Sequence, residues 1–328
     1  MKTNWRKPAV SLLIAAIGIM AGCKKNEAPQ PQTQPVVNKL VPNNDNYSSM
    51  ANFFAKNGAQ MQTYTINGAT GGSFKTPQGT VVTIPANAFY NNLYQIVTGP
   101  VTINFKDIYK KSDMLLSNVT TNAVDGTPLK SGGEFYIKAT AAGSPLTLAQ
   151  TIAVTQPLNG TPLDTTMKAY VKNDTTGLPQ DTVGWAAAHF NANLLLGLGY
   201  YVYDLAQFNP PTDSGSWCNT DEPNYFAAYA QAALTVHETD TAANYGTYVY
   251  LIIKNINTTC ACHTYSADYF NYAYVPLGMA CTIVAVGVKN GKVYSSFTPI
   301  TLSVNQTANF SMTETTTAAF EATLNALN

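Results

Sequence analysis

Five cysteines, three histidines and 18 acids carry most of the reactive chemistry of this 328-residue chain. Cys23 stands alone near the start, while Cys218, Cys260, Cys262 and Cys281 all lie in the second half. In an oxidising compartment four such thiols predict two disulfides. Cys260 and Cys262 are separated by one residue, a loop too tight for ordinary disulfide geometry. The expected pairs are therefore Cys218 with Cys260 or Cys262, and a second bond through Cys281. Cys260-Ala261-Cys262-His263 also supplies closely spaced soft ligands, which Cys218 and Cys281 would complete as a tetrahedral metal site. Structural zinc sites favour a two-residue spacer between thiolates, which this run lacks, so no metal is assigned. Free buried thiols are the third reading.

Acid–base and nucleophilic chemistry is sparse. His189, His237 and His263 are the whole histidine complement. No serine sits on a glycine-flanked elbow, and there is no His-Glu-x-x-His helix, phosphate loop, dinucleotide fingerprint or calcium loop. A glycosidase needs only two acids about 5 to 10 Å apart, and Asp107 and Glu134 are candidate members. Both fall near predicted strand ends, where solvated edge acids are commoner. No cofactor is implied.

Aromatic residues are more suggestive. The chain has 20 Tyr and 3 Trp, with dense runs at Tyr200, Tyr201 and Tyr203 and at Tyr265, Tyr269, Phe270, Tyr272 and Tyr274. A tyrosine offers a flat apolar face and a polar tip, suited to stacking on a sugar or anchoring a protein partner. Tyr265, Tyr269 and Tyr272 are the candidate ligand-binding residues, against the simpler reading that half of the tyrosines alternate into a core. Trp217 reads as a core anchor.

The elements that position these residues follow an export signal. Met1 to Lys7 holds three positive charges, Ala9 to Met20 is almost wholly apolar, and Ala21-Gly22 precedes Cys23. This is a secretory pattern, residues 1–22. A dozen apolar residues reach roughly 18 Å, short of the roughly 30 Å hydrocarbon core, so the run does not predict a membrane span. Met20-Ala21-Gly22-Cys23 resembles the bacterial lipobox, with Met20 in place of the usual Leu, which implies a diacylglyceryl thioether on Cys23. Two or three acyl chains, at about 0.8 kcal/mol per buried methylene, anchor a protein stably. Residues 23–46 carry Pro29, Pro31, Pro35 and Pro42 among Gln and Asn and predict a disordered tether. Lys24-Lys25-Asn26-Glu27 is a possible sorting signal, or simply the start of a solvated linker.

Hydrophobic residues are 45% of the chain and charged ones 11%, so the rest of the chain has the apolar content for real cores under a hydroxyl and amide surface. Loss of Lys2, Arg6 and Lys7 with the signal leaves 15 − 18 = −3, which argues against nucleic acid as a partner. Ser49 predicts the cap of a short helix through Phe53 and Phe54, packed under the first sheet. Beyond it, turn residues recur about every ten positions between alternating β-branched runs. Strands are expected at Val81 to Ile84, Val101 to Phe105, Phe135 to Ala139, Thr151 to Thr155, Lys168 to Lys172, Leu194 to Leu205, Thr247 to Ile253, Thr282 to Lys289 and Ser303 to Met312. Asn290-Gly291 predicts a type I′ hairpin, and Phe320, Leu324 and Leu327 predict a terminal helix. The expected fold is all-β: two consecutive antiparallel β-sandwich domains, 47–208 and 217–328, joined by a linker at 209–216, with short helices at both ends.

Gly71-Gly72 through Pro77-Gln78-Gly79 to Ile84-Pro85-Ala86-Asn87-Ala88-Phe89, followed by Gly99-Pro100-Val101, resembles the opening of ZU5-type β-sandwich modules. It is equally similar to bacterial surface lipoproteins that share this segment and Ser131-Gly132-Gly133-Glu134-Phe135. The resemblance spans about residues 60 to 160 and implies fold far more than activity. Some ZU5 modules cleave themselves at His-Phe-Ser; His189-Phe190 is followed here by Asn191, which lacks the hydroxyl, so self-cleavage is not implied. Asp164-Thr165-Thr166, Asp174-Thr175-Thr176, Asp181-Thr182-Val183 and Asp240-Thr241-Ala242 resemble a bacterial O-glycosylation acceptor. The expectation is a lipoprotein of the cell envelope, on an outer membrane, held through its N-terminal lipid. It would serve as a non-catalytic binding or structural module for a glycan or protein. A surface polysaccharide hydrolase is the alternative, and a metal-dependent sensor using Cys260, Cys262 and His263 the third.

Overall fold

The computed structural model describes residues 43–328 except 173–183, 189–191, 198, 209–215, 241–244, 263 and 267, and the side chains of 264 and 265. The expected signal segment, Cys23 and most of the expected tether lie outside the described residues, as do His189, His263 and the Asp-Thr pairs at 174 and 181. Residues 43–328 form one compact unit built from two fused sandwiches.

The first sandwich follows from period-two alternation. In the strand Pro100–Ile108, Val101, Ile103 and Phe105 are buried while Thr102, Asn104 and Lys106 are not. Its sheet runs, edge to edge, Gln62–Asn67, Pro100–Ile108, Lys130–Ala141, Ser216–Glu222, Lys168–Lys172 and Trp185–Ala187, all antiparallel. The facing sheet orders Ala192–Leu196, Tyr200–Leu205, Ile152–Pro157, Val81–Ile84 and Gly72–Lys75. Between them Phe135 stacks on Phe105 at 5.7 Å and meets Tyr203 edge-on at 5.1 Å. The buried Tyr203 hydroxyl donates to the Tyr170 carbonyl at 2.6 Å. Burying each of these rings contributes about 2 kcal/mol or more.

Two expectations are corrected here. The run Leu194 to Leu205 is a hairpin and not one strand: Gly199 takes φ +85°, and a Cβ on Gly197 would fall 2.1 Å from the Tyr200 ring. Ser216–Glu222, read from sequence as the opening of a second domain, is an inner strand of the first sheet. It is buried along nearly its whole length, with Cys218 opposite Phe135 on one side and Val171 on the other. A strand covered on both faces cannot end a linker; it completes the sheet that the chain left at Ala187. The second sandwich therefore starts near Tyr225.

In the second sandwich, one sheet orders Thr264–Ser266, Tyr269–Pro276, Gln231–Glu238 and Gln306–Phe310. The other orders Thr259–Ala261, Tyr248–Ile253, Ala280–Lys289, Lys292–Thr301 and Thr313–Thr315. Gln231–Glu238 and Gln306–Phe310 pair in parallel, the one departure from antiparallel pairing among the described strands. Leu234, Phe270, Leu251 and Ile283 fill the space between the sheets. Asn290 and Gly291, at φ +50° and +80°, make the expected type I′ turn.

Tyr248–Ile253 is apolar on both faces, so its sheet needs a second cover. Three helices supply it: α1 (Met50–Asn57), α2 (Lys111–Leu116) and α3 (Thr317–Asn325). Ser49 caps α1, its Oγ accepting from the Asn52 amide, as its position predicts. Phe53 and Phe54 pack with Phe320, Leu324, Leu115, Ile252 and Val284. The aromatic pair thus lies on the second sandwich and not under the first sheet. The outer face of that sheet, with Tyr250, Ile252, Val284 and Val286, receives them.

Residues 109–131 bind the two sandwiches. The amides of Thr121 and Ser131 donate to the carbonyls of Thr259 and Asn257 at 2.8 and 2.9 Å, and the Ala261 amide donates to Asn122 Oδ1 at 2.8 Å. This segment caps the edge strand Thr259–Ala261, which would otherwise expose unpaired backbone groups.

Candidate functional site

The expected tyrosines separate by strand parity. Along Tyr269–Pro276, Phe270 and Tyr272 point inward; Tyr272 is 4% exposed and its hydroxyl donates to the Val249 carbonyl at 3.1 Å. Tyr272 is thus a core residue, out of reach of a ligand. Tyr269 points outward and is 46% exposed. Tyr265 is opposite Phe270 in register, and its side chain lies outside the described residues. A register shift between Ala232 and Leu234 lets Tyr274, also 46% exposed, reach solvent on the same strand.

His237, opposite Tyr269 on the neighbouring strand, stacks on it at 4.4 Å with an interplanar angle of 11°. Its Nδ1 lies 3.3 Å from Asn309 Oδ1, and Thr235 Oγ1 donates to Asn271 Oδ1 at 3.0 Å. The outer face of this sheet therefore presents two stacked rings framed by amides and hydroxyls. Such a surface offers apolar ring edges with donors and acceptors beside them. No sequence motif pairs His237 with Tyr269, its neighbour in space, because the two are 32 residues apart; only the alternation of Gln231–Glu238 marks His237 as outward-facing.

The two candidate carboxylates do not face each other. Asp107, opposite Phe135, lies on the core side of the first sheet and is 1% exposed. Thr76 Oγ1 and Thr80 Oγ1 each donate to its Oδ2 at 2.6 Å, and Gln62 Nε2 donates to Oδ1 at 3.3 Å. Glu134, one register position away, is on the opposite face and fully buried. Its neighbour is Asp221, also fully buried and absent from the sequence reading. Glu134 Oε2 and both Asp221 carboxyl oxygens accept no hydrogen bond. Ser131, beside Asp221, places its single proton on Asn219 Oδ1 at 2.8 Å. Burial drives the Glu134 carboxyl far above the usual carboxylate range, with Asp221's charge adding to it. Burial does the same to Asp221, against a smaller opposing influence from Ser131.

The cysteines form no disulfide in this structure, correcting the expected pairs. All four are buried and free. Cys218 belongs to the first sandwich core; Cys260, Cys262 and Cys281 belong to the second. Cys260 and Cys281 sit opposite Leu251 and Ile253 on strands that flank Tyr248–Ile253 on its two sides. Two strand spacings come to roughly 9.5 Å, beyond the about 7 Å that a disulfide spans. Burial raises the thiols of Cys218, Cys262 and Cys281 to about 12. Among the described residues no group of three His, Cys, Asp or Glu is placed to hold a metal. Iodoacetamide is expected to label none of these four cysteines in the native protein and all four after unfolding in guanidinium without reductant. Two or fewer labelled after unfolding would mean that bridges form.

Trp217 is half-buried on the outer face of the first sheet, beside Tyr136 at 5.3 Å, and is not part of the sandwich interior. A separate ion-pair group joins Lys130 Nζ to Asp164 Oδ2 at 2.5 Å and to Glu222 Oε2 at 3.2 Å, with Lys130 4.7 Å from the Tyr225 ring. A cleft of about 700 Å³, which Lys111 lines, lies at the seam of the sandwiches, and one of about 520 Å³ adjoins it on the second sandwich. No family model matches the chain, and none of the curated proteins matches it in sequence.

Proposed function

We propose that this chain is a lipid-anchored module of the bacterial envelope, on an outer membrane, that holds a glycan or protein ligand without transforming it. The observation that carries the reading is the solvent-facing His237–Tyr269 stack with Asn309, Asn271 and Thr235 around it. A low-charge, hydroxyl-rich surface suits an uncharged polar ligand recognised by ring contact and amide hydrogen bonds. Anchoring through Cys23 and the kinship to ZU5-like surface lipoproteins rest on the sequence patterns. Among the described residues no helix is long and apolar enough to cross a membrane, a point that leaves strand-built spans untouched. The hydrolase alternative would need acids other than Asp107 and Glu134, which lie on opposite faces of their sheet.

A glycan array probed with the full chain tests the ligand class. Tyr269→Ala is expected to weaken binding at least tenfold, since stacked aromatic contacts of this kind are worth about 1.5 kcal/mol or more. Unchanged affinity in that variant ends the platform reading. Cys23→Ser is expected to move the protein from the membrane fraction to the soluble fraction; retention on membranes would defeat the anchor.

A further inference from the structure

Lys111 is an unusual residue for a chain so poor in charge. It opens α2 at the seam of the two sandwiches and is 4% exposed. Its ammonium, with three protons to give, makes one hydrogen bond, to the Ile253 carbonyl at 3.2 Å. Burying an ammonium with two donors unused costs several kcal/mol unless an anion meets it. Lys110 stands beside it at the rim of the 700 Å³ cleft, and Lys254 lines the adjoining cleft of about 520 Å³. The two clefts meet at Asn255 and Asn328. No Asp or Glu side chain lines either, and none of the three lysines forms an ion pair among the described residues. Burial pulls the Lys111 ammonium below the usual lysine range, with a smaller opposing influence from Cys281, and Asp113 interacts electrostatically with exposed Lys110 at the start of α2.

The remaining lining is neutral and hydrogen-bonding. Asn159 and Asn255 hold φ +50° and +61°, which sets both residues in turns at the cleft edge. Thr161 is there too, while Asn257 spends its amide on the carbonyls of Tyr109 and Ser131 and so braces the wall. A volume of this size takes a ligand of one to three sugar units. Three lysines among amides, with no Asp or Glu side chain in the cleft lining, favour an anion on a hydroxyl-rich body.

We propose that the seam cleft is a binding site for an acidic saccharide, whose carboxylate or sulfate sits on Lys111 and whose hydroxyls meet the asparagines. The site shares no residue with the His237–Tyr269 platform, and the proposal stands or falls without it.

The test is calorimetric titration of the full chain in detergent with trigalacturonate, a sulfated disaccharide, inorganic phosphate and a neutral galactose trimer. Binding is expected for the uronate or the sulfated sugar and not for the neutral trimer. The affinity should fall at least tenfold in Lys111→Met and about tenfold between 50 mM and 500 mM salt. Methionine matches the lysine stem without its charge, so this variant is expected to fold. Should it fail to, Lys254→Gln, a change at an exposed residue, should still weaken binding about threefold. Carboxylate against sulfate preference distinguishes the two anion sources. Equal affinity for the neutral trimer, or wild-type affinity in both variants, overturns the proposal. Phosphate competing as strongly as the sugars overturns the saccharide body, and no binding by any acidic sugar at millimolar concentration overturns the site.

Discussion

Replacing Asp221 with Asn is expected to stabilise the folded unit by about 2 to 4 kcal/mol at pH 7 and to leave it unchanged near pH 3. Asp221 is fully buried and neither carboxyl oxygen accepts a hydrogen bond from the protein. The folded chain therefore keeps this carboxyl protonated, while the unfolded chain releases the proton above about pH 4. Holding a proton at pH 7 against an unfolded pKa near 3.9 costs about 4 kcal/mol, the upper limit of the effect. With the folded value raised, the native state binds more protons than the unfolded one over that window. Stability is accordingly greatest below about pH 4 and declines as pH climbs toward the folded value. An amide has the carboxylic acid's shape and no proton to lose, so the decline should flatten in Asp221→Asn. Glu134→Gln should do the same to a lesser degree, because Asn219 Nδ2 lies 3.5 Å from its Oε1. Guanidinium unfolding of the full chain at several pH values measures this directly. A variant less stable than wild type at pH 7, or a pH slope unaltered, would show that Asp221 is ionised and held by something it needs.

The same kind of residue should respond with the opposite sign at position 107. Asp107→Ala is expected to destabilise by about 3 to 5 kcal/mol. Asp107 is as deeply placed as Asp221, but it receives two hydroxyl donors at 2.6 Å and an amide at 3.3 Å. Hydrogen bonds to a charged acceptor are worth about 1.5 to 3 kcal/mol each, and truncation also leaves the buried Thr76 hydroxyl proton without its acceptor, though its oxygen still accepts from the Thr80 amide. Thr80 keeps a partner in the Tyr109 hydroxyl at 2.6 Å, which limits the loss. Chemical denaturation of the variant decides the matter: a cost under about 1 kcal/mol would mean that Asp107 is dispensable to the sandwich. Together the two substitutions separate a buried acid that holds strands together from one that the fold tolerates.

The strand pattern was legible because it is a local property. Val101 to Phe105 and Phe135 to Ala139 alternate on their own, and Asn290-Gly291 demands positive φ whatever surrounds it. Ser49 and the 320–327 spacing likewise marked α1 and α3. What local pattern cannot report is which strands become neighbours. Ser216–Glu222 looked like the start of a new domain, since sequence distance from Lys130–Ala141 hides the fact that it fills the slot between that strand and Lys168–Lys172. The helix α2 escaped notice because six residues of Lys-Ser-Asp-Met-Leu-Leu are too few to show a period, and the sheet face that stabilises it comes from residues 130 positions on.

The same division governs the chemistry. Residue type alone announced tyrosines able to stack, acids able to ionise and thiols able to bridge. Strand parity then sent Tyr272 inward and Tyr269 outward, sheet order set Cys260 and Cys281 two strands apart, and the pleat turned Asp107 and Glu134 to opposite faces. Composition and turn chemistry are written residue by residue, so the chain itself dictated its β-rich character and the turns between its strands. Which side chains meet, and which are sealed from water, depends on contacts between distant segments; only the packed tertiary structure settled that.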